Sequence, residues 1–429
     1  MVKPGYKQTE IGVLPESWET ITFEDCFTIL PNNTLSRAEL NYNGGEVQNI
    51  HYGDILVKFP EILDCATEGL PYINAENTTK ASKGFLRDGD VIMADTAEDV
   101  IVGKSTEVIG IGEQKVVSGL HTIPCRPKDE EMFAPKWLGY FINHRTYHDQ
   151  LIPYITGTKV SAVSKSAISG TTIAVPKREE QAEIAEALSD IDALITNLEK
   201  LIAKKKAIKQ GVIQELLTGK RRLPGFDGEW ETVRLGDHCA VLRGGSPRPI
   251  QAYLTSSPQG ANWIKIGDVR EGDKYITSTA ERIIEAGISR SREVFAGDFI
   301  LSNSMSFGRP YILKIDGCIH DGWLVIQNYQ ESFDQQYLYY VLGSDFVKSQ
   351  YIAMAAGSSV QNLNKEKVSN VVLYKPTVEE QRSIAAILSD MDEEILDCEN
   401  KLAKYRGIKQ GMMSELLTGR IRLIDKEDA

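Results

Sequence analysis

Residues 179–223 return, much of them unchanged, as residues 379–423. The first copy reads EEQAEIAEALSDIDALITNLEKLIAKKKAIKQGVIQELLTGKRRL and the second EEQRSIAAILSDMDEEILDCENKLAKYRGIKQGMMSELLTGRIRL, with 24 identities over 45 aligned positions and no gap. A repeat of fixed period restricts a chain to architectures made by duplication. One long region precedes each copy and little follows the second, so the expected unit is a globular domain followed by a helix, made twice.

The repeated segment carries a heptad seam. Its apolar positions are Ile184, Leu188, Ile191, Ile195, Leu198 and Ile202 in the first copy and Ile384, Leu388, Met391, Ile395, Cys398 and Leu402 in the second. Spacings of 4, 3, 4, 3 and 4 keep one stripe facing a partner helix. Pro176 and Pro376 precede the segments, acidic residues fill the first turns, and Gly219 and Gly419 stand where helix C-caps are expected. About 40 residues at about 1.5 Å each predict a helix of roughly 60 Å. The first half of each copy is acidic (Glu179, Glu180, Glu183, Glu186, Asp190 and Asp192; Asp390, Asp392, Glu393, Glu394, Asp397 and Glu399). The second half is basic (Lys200, Lys204, Lys205, Lys206 and Lys209; Lys401, Lys404, Arg406 and Lys409). Only an antiparallel pairing sets acidic against basic halves, so seam and charge together favour an antiparallel intramolecular coiled coil over two independent helices.

The regions before the helices read as mixed α+β. In the first, short strand-like runs (Thr20–Phe23, Asp54–Val57, Tyr72–Ile73, Asp90–Met93, Thr122–Pro124) alternate with Gly, Asn and Asp turns. A helix-like stretch, Ala134–Leu151, follows, and the strand Thr172–Val175 closes the region. The second region repeats landmarks: Trp230 answers Trp18, Gly297-Asp298-Phe299-Ile300 answers Gly89-Asp90-Val91-Ile92, and Gly357 answers Gly157. Between landmarks the two diverge. The fold class is therefore α+β, with two pseudo-symmetric globular mixed α/β domains separated by two long antiparallel coiled-coil helices. The boundaries fall at 1–175, 176–222, 223–375 and 376–429, the last span holding the distal helix and a C-terminal tail.

With 429 residues, 42% apolar and 25% charged, the chain has the length for two domains and the balance of a globular protein. No apolar run is long enough to span a membrane and the N-terminus has no apolar signal core, so no membrane association and a cytoplasmic location are expected. Six scattered cysteines without a CxxC read as reduced thiols. The net charge of −12 argues against a free-standing nucleic-acid binder, although not against local basic patches or partners that bring positive charge.

Two unlike heads on a pseudo-twofold frame suit an asymmetric, split DNA site, since dimeric readers place two heads about one helical turn apart. Here the chain resembles a known family. EEQ, I-A, L-S-D, KQG, ELLTG and R-L in both helical copies, Tyr6-Lys7-Gln8-Thr9-Glu10-Ile11-Gly12 at the start, and the Arg243-Gly244-Gly245-Ser246-Pro247 loop are similar to the specificity subunits of type I restriction–modification systems. The likeness runs over essentially the full chain. It implies two target recognition domains, each reading one half of a bipartite sequence in double-stranded DNA. It also implies helices that set the spacer and dock two methyltransferase subunits, with nuclease–translocase subunits joining for cleavage. No cofactor is implied on this chain; S-adenosylmethionine belongs on the methyltransferase partners.

No catalytic or metal constellation stands out. The chain has no Pro-Pro, hence no Asn/Asp-Pro-Pro-Tyr/Phe motif of an amino-methyltransferase. Ile109-Gly110-Ile111-Gly112 reads as a turn, Glu113-Gln114-Lys115 lacks the Pro-Asp of a nuclease, and His144 and His148 read as exposed helix histidines without a carboxylate to complete a metal set. A non-catalytic recognition subunit is expected; a self-contained nuclease or methyltransferase and a coiled-coil scaffold that never meets DNA are the alternatives.

Base reading needs Arg, Asn or Gln on loops, with Ser, Thr and backbone groups holding phosphates. In the first head these are Asn33, Thr34, Ser36, Arg37, His51, Tyr52, Lys58, Thr158, Lys159 and Ser161. In the second they are Arg243, Ser246, Arg248, Lys265, Arg292, Ser302, Asn303, Arg309, Gln361 and Asn362. Lys204, Lys205 and Lys206 face either spacer phosphates or solvent. Gly211 and Gly411, each costing about 1 kcal/mol against Ala in a helix, point to close backbone approach, between the helices or to a methyltransferase, or else are inert breaks.

Overall fold

The computed structural model describes residues 2–81, 83–99, 101–157, 160–270, 272–303, 308–355 and 363–423. The chain forms two compact units, residues 1–198 with 401–429 and residues 199–400. Both repeated segments are single helices of 39 residues, Arg178–Leu216 and Val378–Leu416. Each unit therefore holds one globular head, the start of the helix that follows it, and the end of the other helix.

In the first unit a five-stranded sheet has the order Phe27–Ile29, Thr122–Pro127, Val91–Ala94, Ser105–Ile109, Ile62–Asp64. Val91–Ala94 is buried at all four positions, as a central strand covered on both faces must be. In the second unit the order is Ala240–Arg243, Trp323–Gln327, Phe299–Ser302, Pro310–Leu313, Tyr275–Ile276. Each sheet is antiparallel except for its last pair, Ile62–Asp64 on Ser105–Ile109 and Tyr275–Ile276 on Pro310–Leu313, which is parallel. A second sheet in each head is built around another parallel pair, Gln48–Ile50 with Val116–Ser118 and Ala261–Ile264 with Gly317–Ile319. Two heads with little sequence in common thus share the topology of the five-stranded sheet, while their second sheets differ, with four strands in the first head and five in the second.

A two-stranded ribbon closes each head. Glu19–Thr22 pairs with Thr172–Val175, and Glu231–Arg234 with Val372–Lys375. Both ribbons feed directly into the long helices.

The seam residues are all buried or half-buried. In the first unit Ile184, Leu188, Met413, Leu416 and Leu417 complete the core around Trp18, Trp137, Phe141 and Tyr147. In the second, Leu216, Leu217, Ile384 and Leu388 do the same around Tyr337, Tyr340 and Tyr351. Each head is therefore sealed by both helices, one arriving and one leaving. Ion pairs run antiparallel within each unit. Asp192 meets Lys409 at 2.8 Å and Glu180 meets Arg422 in the first. Lys205 meets Glu394 at 2.6 Å, Lys209 meets Asp392, and Arg222 meets Glu380 at 2.7 Å in the second. The acidic-against-basic reading of the sequence fits this order.

The repeated motifs resolve into repeated contacts. Glu180 and Glu380 are buried and accept from Trp18 Nε1 and Trp230 Nε1, each at 2.9 Å. Gln181 and Gln381, fully buried, brace the heads by accepting from the Ala134 and Asp334 amides at 2.8 Å and donating to the Pro176 and Pro376 carbonyls. Tyr140 and Tyr340 hydroxyls donate to Asp192 and Asp392 at 2.8 and 2.6 Å, the carboxylates that the KQG lysines also meet. Gly219 and Gly419 have φ of +71° and +65°, the left-handed C-cap that glycine adopts without strain.

Three local expectations are corrected. Asp54–Val57 is not a strand but part of the helix Tyr52–Val57, whose N-terminal amide at Gly53 donates to His51 Nδ1; Ile55 is buried while Val57 is 85% exposed, a helical spacing that a four-residue apolar run does not reveal. Ala134–Leu151 is broken into Trp137–Asn143 and Arg145–His148, because Asn143 turns its side chain to the backbone of Ser105 and His144 is extended. Gly211 and Gly411 do not mark close approach within the chain, since a Cβ at either would meet open space.

Candidate nucleic-acid interface

Shared strands with unlike loops locate the place where the heads can differ in function. In both heads the loop entering the strand Thr122–Pro127 or Trp323–Gln327 lies beside the loop after Val91–Ala94 or Phe299–Ser302. Asp95 N donates to the His121 carbonyl at 3.1 Å, and Asn303 N to the Gly322 carbonyl at the same distance. These corners gather many of the side chains expected from the sequence.

In the first head they divide into braces and exposed groups. Asn33 is buried; its amide holds Asn49 Oδ1 at 2.7 Å and the Ser118 carbonyl at 3.0 Å, and its oxygen accepts from the Leu35 amide. His51 is buried as the helix cap above, and desolvation lowers its pKa, which keeps it neutral. Both are engaged in holding the loop. Arg37 grips Asp54 through two bonds of 2.8 and 2.7 Å while its side chain stays half-exposed. Ser36 closes a capping box with Glu39, Thr34 is exposed, and Lys58 pairs with Glu68. Tyr52 lies between His51 and His121, with ring centroids 4.6 and 5.2 Å away. Ser161 lies in a short strand paired with Thr96–Ala97. Thr158 and Lys159 lie outside the described residues.

His121 went unnoticed in the sequence. It takes a left-handed φ of 54°, uncommon for a side chain of its size, and its Nδ1 lies 3.3 Å from both Asp95 Oδ1 and Thr96 Oγ1. Its only sequence signal was the Gly119-Leu120 turn ahead of a strand.

In the second head the centre is Asp321, also not singled out from the sequence. Its carboxylate accepts from Ser246 Oγ at 2.9 Å and Arg248 Nη2 at 3.3 Å. Its carbonyl accepts from Asn303 Nδ2 at 3.1 Å and Arg243 Nε at 3.4 Å. Four of the expected residues thus converge on an acid, a residue type that a search for donors passes over. Arg292 Nε donates to the Arg243 carbonyl, and Lys265 pairs with Glu281 at 2.7 Å. Arg309 lies over the Tyr311 ring, and Ser302 and Asn303 are buried. An open cleft of about 690 Å³ is lined by Ser246, Arg248, Trp263, Lys265, His320 and Asp321 among others. Gln361 and Asn362 lie outside the described residues.

The histidines weighed as a metal pair are not exposed helix residues as expected. His144 is buried and caps the helix Arg145–His148, and burial pushes its pKa down to about 4. His148 Nε2 lies 2.8 Å from the Val102 carbonyl. Among the described residues no group of three or more His, Cys, Asp or Glu is placed to hold a metal ion. Nor is any helix long and apolar enough to cross a membrane. Lys205 and Lys206 are engaged with Glu394 and Glu399, and Lys204 and Lys206 are both exposed.

Residues 15–210 and 227–404 each match the family described as the type I restriction modification DNA specificity domain. A putative type I restriction enzyme specificity subunit, MjaX, from Methanocaldococcus jannaschii is 23% identical over 439 residues, 97% of each chain. A putative type I restriction enzyme specificity subunit from Haemophilus influenzae is 23% identical over 327 residues, 75% of this chain and 80% of that one. Among solved structures, a chain from a study of type I R-M system assembly and conformational transition superposes with a TM-score of 0.61 at 18% identity, covering 95% of this chain and 99% of that one. A type I restriction-modification S subunit from M. genitalium gives 0.55 at 13% identity, covering 93% and 96%. At such identities the superpositions speak for the fold.

Proposed function

Because the chain belongs to the type I restriction–modification DNA specificity family, we propose that it is the non-catalytic DNA-recognition subunit of such a complex, reading an asymmetric bipartite site with one half assigned to each head. The observation that carries this reading is the pairing of a shared sheet with different chemistry: the five-stranded sheets of both heads use the same strand order, yet the matched corners present His121 with Asp95 and Thr96 in one and Asp321 with Ser246 and Arg248 in the other. Heads alike in frame and unlike at the reading edge suit two different half-sites.

The helices set the number of bases between the half-sites and dock two methyltransferase subunits. The exposed Gln-Gly pairs of the two repeats, where Gly211 and Gly411 leave open space, give two equivalent partners equivalent surfaces. The methyltransferases supply S-adenosylmethionine and the chemistry, and nuclease–translocase subunits join for cleavage. The net charge of −12 accords with a subunit whose partners contribute much of the positive surface around DNA. A cytoplasmic location follows from this role.

The test is to produce the chain with its methyltransferase partner in a cell and map methylated adenines along the genome. A single bipartite motif with a fixed gap is expected. Methyl transfer or Mg²⁺-dependent cleavage by the purified chain alone would assign the chemistry to this polypeptide and overturn the non-catalytic role. An absence of DNA binding even with the methyltransferase present would leave only a scaffold.

A further inference from the structure

We propose that Asp321 is the positioning residue that determines which base the second head reads, by holding Ser246 and Arg248 in register; the inference rests on the reading of this chain as a DNA specificity subunit. The Arg243–Pro249 segment is anchored at its start, where Gly244 N and Gly245 N donate to the Trp323 and Ile319 carbonyls. Beyond Gly245 the described polar ties of its side chains to the head all run to Asp321. Ser246 Oγ is bonded on both sides of that residue, to the carboxylate at 2.9 Å and from the amide at 3.3 Å. The hydrogen bond from Ser246 holds the Asp321 carboxyl below the usual carboxylate range, so it remains an acceptor at neutral pH.

The geometry separates anchor from reader. Arg248 has an 81% exposed side chain and meets Asp321 through one nitrogen at 3.3 Å, while Asp321 is 44% exposed. A guanidinium aimed by one carboxylate, with its other nitrogens free of described partners, presents a fork to the major-groove edge of a guanine, a pairing it makes through two donors. The cleft beside it is floored by Trp263 and His320 and edged by Lys265. The matched corner of the first head has no equivalent acid: Gly119-Leu120-His121 stands there, with His121 held by Asp95 and Thr96. A group needed for the shared fold would recur in both heads. Asp321 does not.

Asp321→Asn isolates the carboxylate. The Arg243 and Asn303 bonds go to the main-chain carbonyl and survive, whereas the side-chain amide keeps a single acceptor oxygen for Ser246 and turns its nitrogen, a donor that cannot accept from Arg248, toward the guanidinium. The experiment maps adenine methylation in cells producing the whole chain with its methyltransferase partner, for wild type, Asp321→Asn and Ser246→Ala. The half-site belonging to the second head is identified as the one that changes when residues 223–375 are exchanged for those of a relative. Asp321→Asn is expected to relax one position of that half-site, losing on the order of tenfold in discrimination, with the other half-site unchanged. Ser246→Ala is expected to relax the same position. An unchanged motif in Asp321→Asn overturns the inference, and so does a uniform fall in methylation with the motif intact, which is the signature of a merely structural role. A wild-type map without a bipartite motif defeats the underlying reading, and the inference with it, and is distinct from either result.

Discussion

Arg422 and Glu180 stand 242 positions apart and form a two-pronged ion pair, with Arg422 Nη2 2.8 Å from Glu180 Oε2 and Trp18 Nε1 donating to the same oxygen. The end of the distal helix segment is thereby tied to the start of the central helix and to the lead-in of the first head. Arg222, Glu380 and Trp230 repeat the triad in the second unit.

Glu180 is fully buried, so removing its cation leaves a charge with a single donor. Arg422→Ala should destabilise the first unit by about 3 kcal/mol. Combined with Glu180→Gln it should cost clearly less than the two single changes added together. Chemical denaturation of the four proteins measures this; strict additivity would show that the pair is not coupled.

Glu107 is buried under the amides of Lys136 and Gly139, which donate to it at 2.6 and 2.9 Å, and desolvation lifts its pKa from 4.5 to about 7. The folded state then holds a proton that the unfolded state has released, so this group's contribution to stability is full below about 4.5 and is lost as pH rises through about 7. Unfolding midpoints followed across that range should fall for the wild type relative to Glu107→Gln. Parallel curves for the two proteins would remove Glu107 from the pH dependence.

Exchanging residues 223–375 for those of a relative should replace one half of the methylated motif and leave the other half and the gap as they were. Single mismatches in DNA sites cost about 1–3 kcal/mol each, so the change should be complete in a methylation map. A change in both halves, or in neither, contradicts modular reading.

Adding one heptad to each long helix lengthens it by about 10 Å, close to three base-pair steps. Gap length should change while the bases read stay the same. The opposite result, new bases at an unchanged gap, would remove the helices from spacing.

Gly211→Ala and Gly411→Ala place a methyl group in open space and should each stabilise the isolated chain by about 1 kcal/mol. Methylation by the complex should nevertheless fall, because the added groups meet the docked methyltransferases. A stabilised chain with undiminished methylation would make these glycines inert.

The sequence alone determined the duplication, the length of the helices and the sense in which they pair, since heptad spacing and charge order are one-dimensional patterns. The Gly-Asp turns ahead of Val91 and Phe299 were visible for the same reason: Asp90 and Asp298 accept from the amides of Arg87 and Phe295, only three residues earlier. Tertiary structure decided everything that depends on distant partners. The EEQ and KQG motifs announced only that something was repeated; that Glu180 receives Trp18 and Arg422, and that Asp192 receives Tyr140 and Lys409, follows from packing across gaps no periodicity encodes. The same holds at the reading edges. Asn33 and His51 were picked by residue type alone, and only the fold shows them buried with their polar atoms bonded to Asn49, Ser118 and Gly53; Asp321 was passed over, and only the fold brings Ser246 and Arg248 to it, because hydrogen bonds are made by neighbours in space.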